Sequence, residues 1–66
     1  MKDFTVRMSD GREYLLRGER MKDILDLIGM ARLTNSGFLD VRIQDTYKYV
    51  TINVEQIVSI EEEDDI

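Results

Sequence analysis

The chain has 66 residues, a mass of 7.8 kDa and a formal net charge of −5, which leaves room for one small domain and excludes a second. Its 42% apolar and 35% charged residues form a globular balance, and with no cysteine and no histidine it is excluded from disulfides, thiol and imidazole chemistry and the usual zinc sites. The charge is uneven: Glu61, Glu62, Glu63, Asp64 and Asp65 carry five of the 14 acidic groups, so residues 1–60 set nine acids against nine Lys and Arg and are neutral.

The first element is an alternating strand, Phe4-Thr5-Val6-Arg7-Met8. Ser9-Asp10-Gly11 then turns the chain into Arg12-Glu13-Tyr14-Leu15-Leu16-Arg17, the pattern of a hairpin. A two-residue loop would set Met8 against Glu13 and Phe4 against Arg17, mixing apolar and charged side chains on one face. A three-residue loop with Gly11 in the left-handed region instead pairs Met8 with Arg12, Val6 with Tyr14 and Phe4 with Leu16. The same register opposes Arg7 to Glu13, Asp3 to Arg17 and Thr5 to Leu15, so both faces agree on one pairing.

Gly18 ends the strand, and Met21, Ile24, Leu25 and Ile28 follow at helical spacing from Glu19 onward, predicting an amphipathic helix. Gly29 either ends it or is carried inside it to about Leu33. Met8, Met21 and Met30 are expected to fill gaps in the core. Thr34-Asn35-Ser36-Gly37 is a turn.

Leu39, Val41 and Ile43, then Val50, Ile52 and Val54, alternate with polar neighbours and predict two more half-buried strands. A four-residue loop, Asp45 to Lys48, would pair Ile43 with Val50, Val41 with Ile52 and Leu39 with Val54. Val54-Glu55-Gln56 reads as a 3₁₀ turn, and Ile57-Val58-Ser59-Ile60 as a last short strand. The expected fold is α+β: a small twisted antiparallel sheet with one helix, in the order β-β-α-β-β-β, with an SH3-like or Sm-like barrel as the alternative. Residues 1–61 form the domain and 62–66 an acidic C-terminal tail that is expected to be dispensable for the fold.

The stretch from Tyr49 to Glu62, with its Asn53-Val54-Glu55-Gln56-Ile57-Val58-Ser59-Ile60-Glu61 core, resembles the ending of short uncharacterised proteins of Gram-positive bacteria and their phages. The resemblance covers about a quarter of the chain, and implies a small phage, prophage or mobile-element accessory protein. It carries over no activity and no site residue.

Catalysis finds little to build on, because Ser9, Ser36 and Ser59 have no histidine and the glycines form neither a dinucleotide fingerprint nor a P-loop. Five consecutive acids lack the turn geometry of a hard-cation site, so no catalytic residue, metal or cofactor is expected. Of the arginines near the hairpin, Arg7, Arg12, Arg17 and Arg20, two are opposed by Glu13 and Asp3 in the expected register, which leaves Arg12, Arg20, Lys22 and Arg32 as possible phosphate contacts; Tyr47 and Tyr49 beside Lys48 could stack bases, but the neutral body supplies little counterion-release affinity. No apolar run approaches the roughly 18 residues of a membrane span, and Met1-Lys2-Asp3-Phe4 is no signal peptide; the expected location is cytoplasmic. A core this small without disulfide or metal commonly gains stability by association. The expected function is therefore a non-enzymatic protein-interaction module, acting as a homo-oligomer or a binder of a host protein. Its candidate interface is the outer sheet face with Leu15, Phe38, Tyr47, Tyr49, Thr51 and Ile57, or a free edge strand, pairing across a two-fold axis. The alternative is an Sm-like or SH3-like nucleic-acid binder.

Overall fold

A computed structural model describes residues 1–43 and 46–63. It contains β1 (Lys2–Met8), β2 (Glu13–Gly18), α1 (Met21–Thr34), β3 (Phe38–Ile43), β4 (Tyr49–Asn53), a 3₁₀ turn (Val54–Gln56) and β5 (Ile57–Glu62). The strands form one open antiparallel sheet in the order β4-β3-β2-β1-β5, so the fold is the small α+β sheet with two free edges rather than a closed barrel.

The first hairpin has the register expected from its two faces. Val6 lies opposite Tyr14, Phe4 opposite Leu16, Arg7 opposite Glu13 and Asp3 opposite Arg17. Its loop closes with the Gly11 N–H on the Met8 carbonyl at 3.0 Å and the Met8 N–H on the Arg12 carbonyl at 2.8 Å. The Asp10 carboxylate accepts from the Arg12 N–H at 3.0 Å. Gly11 has φ +88°, a conformation that strains an L-residue, while a Cβ there would meet nothing within 4 Å. Gly11→Ala should therefore cost about 1 kcal/mol through the backbone alone, and Gly11→Asn, which tolerates this conformation better, should cost less. Denaturant unfolding of the two variants checks the order; equal stability of parent and alanine variant would contradict it.

Helix α1 starts two residues later than its apolar spacing suggests. Arg20 is its N-cap, with an extended backbone (φ −146°), and the Asp23 carboxylate accepts from the Arg20 N–H at 3.0 Å, the acidic half of a capping box at the positive end of the helix. Gly29 is carried inside. The helix ends where Ser36 turns left-handed (φ 56°) and the Gly37 N–H returns to the Ala31 carbonyl at 2.8 Å, which satisfies a carbonyl of the last turn.

The inner face of the sheet and one side of α1 enclose the core: Phe4, Val6, Met8, Tyr14, Leu16, Ile24, Ile28, Ala31, Val41, Ile52 and Val54, with Met21 packed against it. Two residues expected in this core, Leu25 from its helical spacing and Met30 as a gap-filler, lie outside it. Leu25 and Met30 are more than half exposed, because a helix laid on a sheet buries only the narrow stripe at Ile24, Ile28 and Ala31.

Two strand registers also differ from expectation. In the β3–β4 hairpin Val41 pairs with Val50 and Leu39 with Ile52, two positions away from the pairing inferred from sequence. The apolar face is unchanged, since side chains repeat every two residues and a shift of two leaves them on the same side. The turn sets the register: the Thr46 N–H and hydroxyl both donate to the Ile43 carbonyl at 3.2 Å, and the Ile43 N–H donates to the Lys48 carbonyl at 2.9 Å. Asp45, the first residue of the expected loop, lies outside the described residues.

In β5, Ser59 pairs with Arg7 but Ile57 with Met8, leaving Val58 as the extra residue of a β-bulge. The bulge turns Ile57 to the inner side, against the core, and not to the outer face proposed for it. β5 also runs past Ile60 to Glu62, which pairs with Phe4, and the Glu63 N–H donates to the Asp3 carbonyl at 2.9 Å. The rest of the expected tail, Asp64 to Ile66, lies outside the described residues.

Candidate functional site

The outer face of the sheet is polar and largely satisfied within itself. Arg7 bridges Glu13 at 2.7 Å and Arg17 bridges Asp3 at 2.9 Å, while Lys2 bridges Glu62 at 2.7 Å on the side of the sheet that carries Phe4. The Arg7 guanidinium is held above its ordinary pKa first by its hydrogen bond to Glu13, then by the charges of Glu13 and Glu61. The buried Thr5 hydroxyl donates to the Glu63 carboxylate. Among the described residues no buried side-chain polar atom lacks a partner. The arginines of β1 and β2 thus already face carboxylates.

Across the middle of this face the registers align Tyr49, Arg42, Leu15, Thr5 and Glu61 in one row. Leu15 is only 9% exposed, floored into a shallow concavity of about 700 Å³ whose rim includes Asp3, Arg17, Arg42, Tyr47 and Glu63. Leu15 is therefore sheltered by its long neighbours and does not need a partner to cover it. Tyr47, Tyr49 and Thr51 are exposed as expected, the Thr51 hydroxyl donating to Asp40 at 2.5 Å. Phe38 is exposed at the start of β3, the far end of that strand from Tyr47. The six candidates accordingly do not form one patch.

The larger apolar exposure is on α1, where sequence spacing did not look for it. Leu27, Met30 and Leu33 recur at three-residue intervals on the solvent side, Leu33 being 84% exposed. Leu27 and Met30 join Phe38, Leu39 and Thr34 around a groove of about 310 Å³ on the β3 side of the helix. On its other side α1 turns Leu25 and Arg32 towards Val54, Ile57 and Ile60, and Arg32 bridges Glu55 at 2.8 Å. The signal was present: apolar residues at 24, 25, 27, 28, 30, 31 and 33 cover more of a helix than one sheet can bury.

Among the described residues, no group of acidic side chains is arranged to hold a metal ion, and no helix is long and apolar enough to cross a membrane. No protein-family model, curated protein or solved structure matches this chain. Its functional reading therefore rests on its own surfaces.

Proposed function

We propose that this chain is a non-enzymatic protein-interaction module that works as a homo-oligomer, an accessory protein of the phage or mobile-element kind implied by its C-terminal resemblance. A host protein is the second class of partner it could hold. The observation that carries the reading is the lopsided apolar surface: Leu27 and Met30 on α1, with Phe38 beside them on the β3 side of the helix, and Leu33 exposed further along the helix. Contiguous apolar surface of this kind on a small domain is more often covered by protein than left in water. Nucleic acid finds less support, since Arg7 and Arg17 are opposed by Glu13 and Asp3 and a basic groove is what a polyanion needs.

Sedimentation equilibrium of the intact chain at micromolar concentration tests this. The expected mass is at least twice 7.8 kDa and is nearly insensitive to salt, because an apolar contact is not screened. A mass that stays at that of one chain across the concentration range rejects self-association. Co-purified nucleic acid released steeply by salt supports the nucleic-acid reading instead.

A further inference from the structure

The two free edges of the sheet are unlike. β5 is defended: its ladder is interrupted by the bulge at Val58, and it carries Glu61 and Glu62, both common devices against edge-to-edge pairing. β4 is Tyr49-Val50-Thr51-Ile52-Asn53, with no charge, no proline and no bulge. Its hydrogen-bond phase follows from the bonds at the two ends of the β3–β4 ladder, Ile43 N–H to the Lys48 carbonyl at 2.9 Å and Val54 N–H to the Gly37 carbonyl at 2.8 Å. Between them the pairs Val41–Val50 and Leu39–Ile52 share that phase and bond across the ladder. Tyr49 and Thr51 fall in the alternate phase and turn their main-chain groups to the open edge.

We infer that β4 is the self-association edge: two copies pair β4 to β4 antiparallel about a two-fold axis through Thr51, making one continuous sheet of two domains. This rests on the self-association reading and adds the surface and the register. The symmetric register centred on Thr51 sets Val50 opposite Ile52 of the second copy on the helix side, so apolar side chains meet apolar ones. It sets Tyr49 opposite Asn53 on the outer side. Pairing through β5 would instead set Glu61 and Glu62 against their own copies. The exposed groove of Leu27, Met30 and Phe38 lies on the β3 side of α1, the side of the sheet that ends in β4, so the apolar surface and the open edge look the same way.

The absence of cysteine allows a direct test on the whole chain. Thr51→Cys places the new thiol beside its symmetry mate, where hydrogen-bonded antiparallel pairs have Cα atoms about 5.5 Å apart, within disulfide range. Mild oxidation should give a covalent dimer, whereas Val58→Cys on the other edge should not. Thr51→Pro removes an outward-facing N–H, which edge strands tolerate, together with the exposed hydroxyl that donates to Asp40, so sedimentation should show a monomer with an unchanged circular-dichroism spectrum. A Thr51→Pro chain that still dimerises, or a dimeric Thr51→Cys chain that does not crosslink, overturns the β4 assignment while leaving self-association intact. A parent chain that is monomeric throughout overturns self-association and the edge assignment with it.

Discussion

Replacing Phe4 with alanine is expected to remove most of the protein's stability. Phe4 is fully buried on β1, between β2 and β5, and its ring packs among Val6, Ile24 and the other core side chains. Emptying such a site costs about 3–5 kcal/mol, the lost transfer energy plus that of the cavity. A domain of this length has a total stability of only about 3–10 kcal/mol. Since each kcal/mol moves the midpoint of so small a domain by about 4–8 °C, Phe4→Ala should melt at least about 12 °C below the parent or show no cooperative transition. Phe4→Leu, which keeps most of the volume, should retain a transition. Thermal melts followed by circular dichroism at one fixed protein concentration decide it, since association feeds into apparent stability. An alanine variant melting within a few degrees of the parent would show that the inner face of β1 is not the centre of the core.

Deleting residues 62–66 is expected to destabilise the fold by about 1–2 kcal/mol, the loss of one or two net hydrogen bonds and a strand end. The deletion removes the pairing of Glu62 with Phe4, the Glu63 N–H bond to the Asp3 carbonyl and the carboxylate that accepts from the buried Thr5 hydroxyl. The Lys2–Glu62 bridge is exposed and adds little. Against this, four acids leave and the net charge moves from −5 to −1, which relieves some self-repulsion. A melting temperature lowered by about 5–10 °C is the expected result. An unchanged one would mean that Glu62 and Glu63 hold nothing, and that the acidic tail is as dispensable as composition alone suggests.

How far each element could be read depended on whether two independent patterns met in it. The first hairpin was legible because its apolar face and its charge pairs, Arg7 with Glu13 and Asp3 with Arg17, select the same register. β3 and β4 offer alternation alone, which is blind to a shift of two, and the bonds of Thr46 to Ile43 that set the register have no clear sequence signature. Ile57 was misplaced because a bulge adds one residue and reverses which side every later or earlier side chain faces. The surface of α1 is hidden for a different reason: helical spacing marks Leu25 as core, yet one sheet covers only the stripe at Ile24, Ile28 and Ala31. Alternation marks Tyr49 and Thr51 as outward-facing, but the open edge that β4 presents is a matter of main-chain hydrogen-bond phase, which hydropathy does not report.

The pairing of β1 with β5 joins the two ends of the sequence, Thr5 meeting Glu63 across 58 positions. Contacts so distant must overcome a large loop-closure entropy before they contribute anything, and such topologies fold slowly for their size. The hairpin of β1 and β2 and the helix can form locally, but until β5 arrives β1 is itself an open edge, lined by Phe4, Val6 and Met8. During that interval the strand that becomes the interior of the sheet is a template for any other extended chain. The acidic residues that close β5 then do two things in sequence: they complete the ladder, and they leave in place of an adhesive edge one that repels its own kind.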